Sequence, residues 1–232
     1  MINEEKYSVR SVYAAIKEEI LNKALACERN PDEISLVAVS KGYSEESIQE
    51  LYQLGQRQFA ENRLVEGAQK IAVLPSDCVW HFIGHLQSNK LAKIISQFTL
   101  IHSVDNFAIA QKISQIAGKL DCSVSILLQV NTSGENTKQG LSAEEWETVL
   151  DDLNLLPNLC VEGLMTMAPF TREEPVIRKC FKKLAQLRDQ WKGRMSNSEI
   201  FHHLSMGMSN DYLIAIEEGA TLLRIGSALF KN

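Results

Sequence analysis

Long hydrophobic runs are missing. No stretch of about 18 apolar residues occurs in this chain, so no membrane-spanning helix is expected. A basic excess is missing too. Lys and Arg number 24 against 29 Asp and Glu, a formal net charge of −5, which leaves no global footprint for nucleic acid. The N-terminal MINEEKYSVR is charged and lacks the apolar core of a secretory signal, so a cytoplasmic protein is expected. Cysteine is scarce and odd in number. Cys27, Cys78, Cys122, Cys160 and Cys180 are widely spaced with no Cys-x-x-Cys, and read as free, mostly buried thiols of a reducing compartment. None stands in a turn beside Gly or His, where a thiolate nucleophile would be expected. No low-complexity or Pro/Gly-rich linker divides the chain, which predicts one domain over residues 1–232. A Gly-rich phosphate loop after the first strand is also absent, which argues against an open doubly wound sheet.

Present instead is an alternation. Short apolar, β-branched runs are separated by longer helical patterns, as in βα units around a parallel sheet. Val9, Val12, Tyr13, Ile16, Ile20 and Leu21 recur at helical spacing over residues 8–28. The first strand is SLVAVS at 35–40, and the clearest is SVSILLQVN at 123–131. Further strands are expected at 56–62, 78–84, 98–104, 159–165, 201–207 and 221–226. The helices between them are expected at 44–54, 62–73, 86–97, 105–118, 143–154, 172–193 and 209–218. Ser44 reads as an N-cap with Glu45 and Glu46 behind it, and Ser142 with Glu145 as a capping box. A leading helix followed by eight βα units in 232 residues predicts an α/β fold, a single-domain (β/α)8 TIM barrel with an extra N-terminal helix.

In such a barrel, chemistry collects at the carboxyl ends of the strands. SMGMSND ends strand seven and RIGSA ends strand eight. Both turns carry small residues that let backbone N–H groups approach an anion, and both open helices, whose N-termini favour negative charge. Ser205, Gly207, Met208, Ser209, Gly226 and Ser227 are therefore expected to hold a phosphate, where barrels frequently bind one. The alternative is that the serines only cap helices and the glycines only turn the chain. Lys41 ends strand one. Partly desolvated at the rim, its amine would shift toward the neutral, nucleophilic form and attack a carbonyl. A phosphate site facing an amine suggests a phosphorylated aldehyde, and pyridoxal 5'-phosphate (PLP) fits that description. Arg224 stands two residues before Gly226 and so faces the same side. Against a pyridine nitrogen its guanidinium would only donate, leaving that nitrogen unprotonated and the ring a weak electron sink. A local acid, Glu217 or Glu218, is the alternative partner.

Several blocks carry a resemblance. AVSKGY, GQRQFAENRLVEGAQK, WHFIGHLQSNK, HSVD, GLMTMAPF, LSMGMSNDYLIAIEEGAT and LRIGSALF run in order from Leu36 to Phe230. Together they resemble the pyridoxal-phosphate homeostasis protein family, the YggS/PROSC group, whose barrel is like the N-terminal domain of alanine racemase. The resemblance implies that Lys41 carries the cofactor as a Schiff base, that Asn62 lies beside it and that Arg224 faces the pyridine nitrogen. It places the phosphate on the turns at 205–209 and 226–227. Met165, at the end of strand six, is counted with the cofactor-lining residues. It also implies regulation of vitamin B6 and amino-acid pools without a demonstrated reaction; a monomer is expected, with PLP-dependent apo-enzymes as recipients. The chain departs from many relatives at His85, where they carry proline.

The alternative function is a racemase-like enzyme that uses the same cofactor. It would need a second acid/base group, for which His85 and Tyr43 are the candidates. The barrel is expected to account for the whole sequence, with no further domain over the site, which would favour a carrier. His81 and His85 flank Gly84 with no carboxylate or cysteine beside them, so zinc is not expected. His202 and His203 should point to opposite faces of a strand. Arg63, Lys90 and Lys138 lie in rim loops or first helical turns and are candidates for a second anionic ligand, against the alternative of a solvated rim.

Overall fold

Strand β1 (Ser35–Val39) shows how the barrel is made, in a computed structural model that describes residues 8–135 and 139–230. Its side chains alternate: Leu36 and Ala38 join an outer apolar shell, Val37 and Val39 a smaller inner one. Seven more strands follow: β2 (Gln58–Glu61), β3 (Val79–Phe82), β4 (Leu100–Val104), β5 (Val124–Gln129), β6 (Leu159–Met165), β7 (His203–Ser205) and β8 (Leu222–Ile225). They close into a parallel barrel in the order β1 to β8, and β8 pairs back onto β1 with Ser35 opposite Leu222 and Ala38 opposite Ile225. Ala60, Leu100, Leu127, Met165 and Leu222 complete the inner layer with Val37 and Val39.

Helix α1 (Val9–Ala26) precedes β1, capped by Ser8, whose Oγ accepts the Ser11 N–H at 3.1 Å. The remaining helices are α2 (Glu45–Gln53), α3 (Leu64–Val73), α4 (Leu91–Ile95), α5 (Phe107–Lys119), α6 (Ala143–Glu147), α7 (Leu150–Asn154), α8 (Glu174–Lys192), α9 (Tyr212–Glu217) and α10 (Ser227–Phe230). Helix α8 shows why they dock: Ile177, Cys180, Phe181, Leu184, Leu187 and Trp191 lie on one buried stripe at helical spacing. Fully burying one such side chain contributes about 1.5–3 kcal/mol. Helix α1 packs on α2, α9 and α10, and so covers the outside of the seam where the first and last strands meet.

The βα order and the leading helix are as the sequence predicts, and Ser44 and the Ser142–Glu145 capping box hold as expected. Four elements differ. The helix expected at 86–97 shrinks to α4, because Gln87, Ser88 and Asn89 form an exposed turn closed by the Lys90 N–H on the Gln87 carbonyl at 2.9 Å. The helix expected at 143–154 breaks at Thr148–Val149, a β-branched pair whose Thr148 hydroxyl donates back to the Glu145 carbonyl at 2.7 Å. Strand seven is only His203–Ser205, since Gly207 takes φ +91° and turns the chain two residues later. The following helix starts at Tyr212, and its N-cap is Asp211.

The thiols differ as well. Cys78 and Cys180 are buried, Cys27 and Cys160 are half-buried, Cys122 is exposed, and none of the five is in a disulfide. No helix among the described residues is long and apolar enough to cross a membrane. No group of three or more His, Cys, Asp or Glu side chains among them is placed to hold a metal ion.

Candidate functional site

Lys41 and Arg224 reach one cleft from the two ends of the chain. Lys41 continues the inward parity of Val37 and Val39 past the end of β1. Register pairs Val37 with Arg224 on β8, so both cations stand on the same seam. They line a cleft of about 530 Å3 at the mouth, together with Asn62, Met165, Met208 and Ser209. Gly226 and Ser227 line it too, and a Cβ on Gly226 would stand 3.0 Å from the Val39 carbonyl, so the turn after β8 packs directly on β1. Lys41 itself is exposed, not partly desolvated as expected, because it has left the strand for the turn that contains Gly42 at φ +76°. Its amine makes no ion pair or hydrogen bond among the described residues.

Arg224 is held very differently. It is buried, and its guanidinium donates to Ser205 Oγ at 2.5 Å and to the Thr166 carbonyl at 2.9 Å. Ser205 Oγ lies 2.7 Å from His102 Nδ1, and His102 Nε2 lies 2.8 Å from His81 Nδ1. A guanidinium can only donate, so the Ser205 oxygen accepts from Arg224, and the chain Ser205–His102–His81 continues from it with donor and acceptor roles set by the imidazole tautomers. Burial keeps both imidazoles neutral: it pushes His81 down to about 4 and His102 well below the ordinary range, each aided by a neighbouring histidine. Burial also lowers Arg224, to about 10, against the pull of Asp211, so the guanidinium stays charged at neutral pH. Glu217 and Glu218, the alternative partners, are engaged elsewhere, by Arg178 at 2.5 and 2.7 Å.

The two small-residue turns are stapled together. Asp211 Oδ1 accepts the Met208 N–H at 2.6 Å, and Ser209 Oγ accepts the Ala228 N–H at 3.1 Å. The Ser209 hydroxyl therefore keeps its proton free to donate to an anion. On the far wall Asn62 Oδ1 is buried with no hydrogen-bond partner among the described residues, a polar atom that a bound ligand would satisfy.

Comparison with known proteins decides the family. The model described as alanine racemase, N-terminal domain, matches residues 21–232. A pyridoxal phosphate homeostasis protein of Aquifex aeolicus is 39% identical over 88% of this chain and 91% of its own. One from Synechocystis is 42% identical over 86% of this chain and 92% of its own. The chain belongs to the pyridoxal phosphate homeostasis protein family. Its barrel also matches PipY of Synechococcus elongatus, solved without PLP, with a TM-score of 0.83 at 35% identity over 93% of this chain and 99% of that one. The form of PipY with PLP bound matches at 0.80 and 34% identity.

Measured against the residues expected for this homeostasis family, two are displaced. Ser205 and Gly207, expected in the phosphate cradle, do not line the cleft. Strand β7 ends at Ser205, so that hydroxyl lies inside the barrel beneath Arg224, while the Gly207 carbonyl accepts the Arg224 N–H at 2.9 Å. His85 and Tyr43 line the cleft; His85 is exposed, 3.8 Å from Asp105, and Tyr43 stacks on Phe230 at 4.4 Å. Arg63 and Lys90 are exposed on a side cleft of about 390 Å3 that shares Asn62 and His85, and Lys138 lies outside the described residues. His202 and His203 do not point apart: His202 precedes the strand in a turn, and the two rings lie 4.2 Å apart.

Sequence reasoning passed over two networks. One is the His81–His102 pair, whose interior parity on β3 and β4 was readable. The other surrounds Lys70 on α3. Gly67 and Lys70 share the buried face of that helix and buried Leu74 follows its end, so a lysine among inward-facing positions was the available signal.

Proposed function

We propose that this chain holds PLP reversibly on Lys41 and serves as a carrier in vitamin B6 and amino-acid homeostasis, not as an enzyme. The observation that carries the reading is that Lys41, Arg224 and the turns at 208–209 and 226–227 line one cleft. When bound, the cofactor supplies an aldehyde and an electron-accepting pyridine ring. Lys41 would hold that aldehyde covalently through its amine, an attachment that water can undo. Exposure of Lys41 favours that reversal. Met208, Ser209, Gly226 and Ser227 take the phosphate, with the Ser209 hydroxyl as a donor. Arg224, charged and donor-only, faces the pyridine nitrogen and gives it no proton, so carbanion chemistry is discouraged. Met165 and Asn62 flank the ring. In this reading residues 1–232 act as one domain, a cytoplasmic monomer that delivers the cofactor to PLP-dependent apo-enzymes.

Mixing the protein with PLP should produce a yellow absorbance band that borohydride reduces to a stable adduct. Lys41→Ala should give neither, and an equal adduct in that variant would refute the reading. A racemase-like activity is the second reading, because His85 and Tyr43 line the same cleft. Incubating loaded protein with L- and D-alanine separates the two: a carrier leaves both unchanged, and steady racemisation would favour the enzyme.

A further inference from the structure

Behind β1, outside the barrel, lies a charged cluster that the cleft does not contain. Lys70 Nζ is buried and uses its three N–H groups on the Ser40 carbonyl at 2.7 Å, Glu61 Oε1 at 2.6 Å and Glu66 Oε1 at 2.7 Å. Ser40 Oγ also donates to Glu61 Oε1, at 2.6 Å. Glu66 Oε1 in turn accepts the Gly42 N–H at 2.6 Å. Burial would raise the Glu66 carboxyl, but the hydrogen bonds from Lys70 and Gly42 outweigh it and hold it below the usual range.

The bonds fall on two particular peptide units. The Ser40 carbonyl belongs to the peptide before Lys41, and the Gly42 N–H to the peptide after it. A peptide is planar, so fixing both planes fixes the two soft backbone torsions of Lys41 and the direction of its Cβ. The Lys41 side chain stays free while its root is immobilised. A seam that needed only stability would be served as well by apolar side chains, since a buried ion pair is weak evidence for stability. Binding both peptides that flank one lysine is a more specific arrangement.

We infer that Glu66 and Lys70, braced by Glu61, are positioning residues that clamp the backbone of Lys41 and aim its amine into the cleft. The inference rests on Lys41 being the attachment point for PLP. Because Glu66 is only half-buried, Glu66→Ala is expected to leave the barrel folded while freeing the Gly42 N–H. Glu66→Gln keeps an Oε1 that accepts from both Gly42 and Lys70, and is the rescue.

Two readouts are needed. Amide hydrogen exchange of residues 40–43, measured on the unliganded protein, should quicken about tenfold in Glu66→Ala, the effect of losing one hydrogen bond to a charged group. The rate at which PLP loads, followed by the yellow band, should fall by a similar factor, with both restored in Glu66→Gln. Unchanged exchange in Glu66→Ala would overturn the clamp. Quickened exchange with unchanged loading would overturn its positioning role, as would a Glu66→Gln protein as impaired as Glu66→Ala. A Lys41→Ala control run alongside tells apart failure of the attachment itself, since exchange reads the clamp without any cofactor.

Discussion

The two sides of the cleft hold their cations in opposite ways. On the Lys41 side, charged groups grip the backbone and leave the side chain exposed. On the Arg224 side, neutral groups grip the side chain itself, through Ser205 and the His102–His81 pair. The difference fits a division of labour. An amine that must bond and let go needs a fixed root and a mobile end. A guanidinium that must stay charged beside a ring needs a fixed head, and Asp211 favours its charge against burial.

That contrast breaks most sharply at Lys70. Lys70→Met strips the partner from a fully buried Glu61 and should cost about 3–5 kcal/mol in urea unfolding. Adding Glu61→Leu to it should recover much of that loss; no recovery would mean that the pair is not the source. Ser205→Ala, on the other side, removes one Arg224 acceptor and the hydroxyl partner of His102, and should cost about 1–3 kcal/mol. It should leave hydrogen exchange at residues 40–43 unaltered if the two sides are independent.

Acid sharpens the comparison further. His81 and His203 have folded values near 4, below their ordinary 6.5. Between those limits the unfolded chain binds protons that the folded chain refuses, so stability is whole above pH 6.5 and falls as pH drops toward 4. Each such histidine contributes a slope of about 1.4 kcal/mol per pH unit. Urea midpoints measured across that range test it, and a flat profile would contradict the neutral network. The smallest effect is expected at Tyr43, whose ring stacks on Phe230 in α10: Tyr43→Leu should lose about 0.5–1.5 kcal/mol.

Much of this was legible in the residues because it is local. The inward parity of Val37, Val39 and Lys41, and the two-residue step from Arg224 to Gly226, follow from strand geometry alone. Ser205 is harder to place from sequence, because strand parity says which face a hydroxyl takes and not how deep it lies: it ends β7 fully buried, holding Arg224. The Lys70 clamp was hidden for a different reason. Glu66 and Lys70 form a visible i,i+4 pair, but nothing local says that α3 drives that pair behind β1 onto the Ser40 carbonyl and the Gly42 N–H. Non-local placement of charge is what a single sequence conceals.

The central claim is that one lysine carries the cofactor. The most direct test is to load the protein with PLP, reduce it with borohydride, digest it and weigh the peptides. A single phosphopyridoxyl group on Lys41 is the expected result. The group on any other lysine, Lys70 or Lys138 included, with Lys41 unmodified, would contradict it.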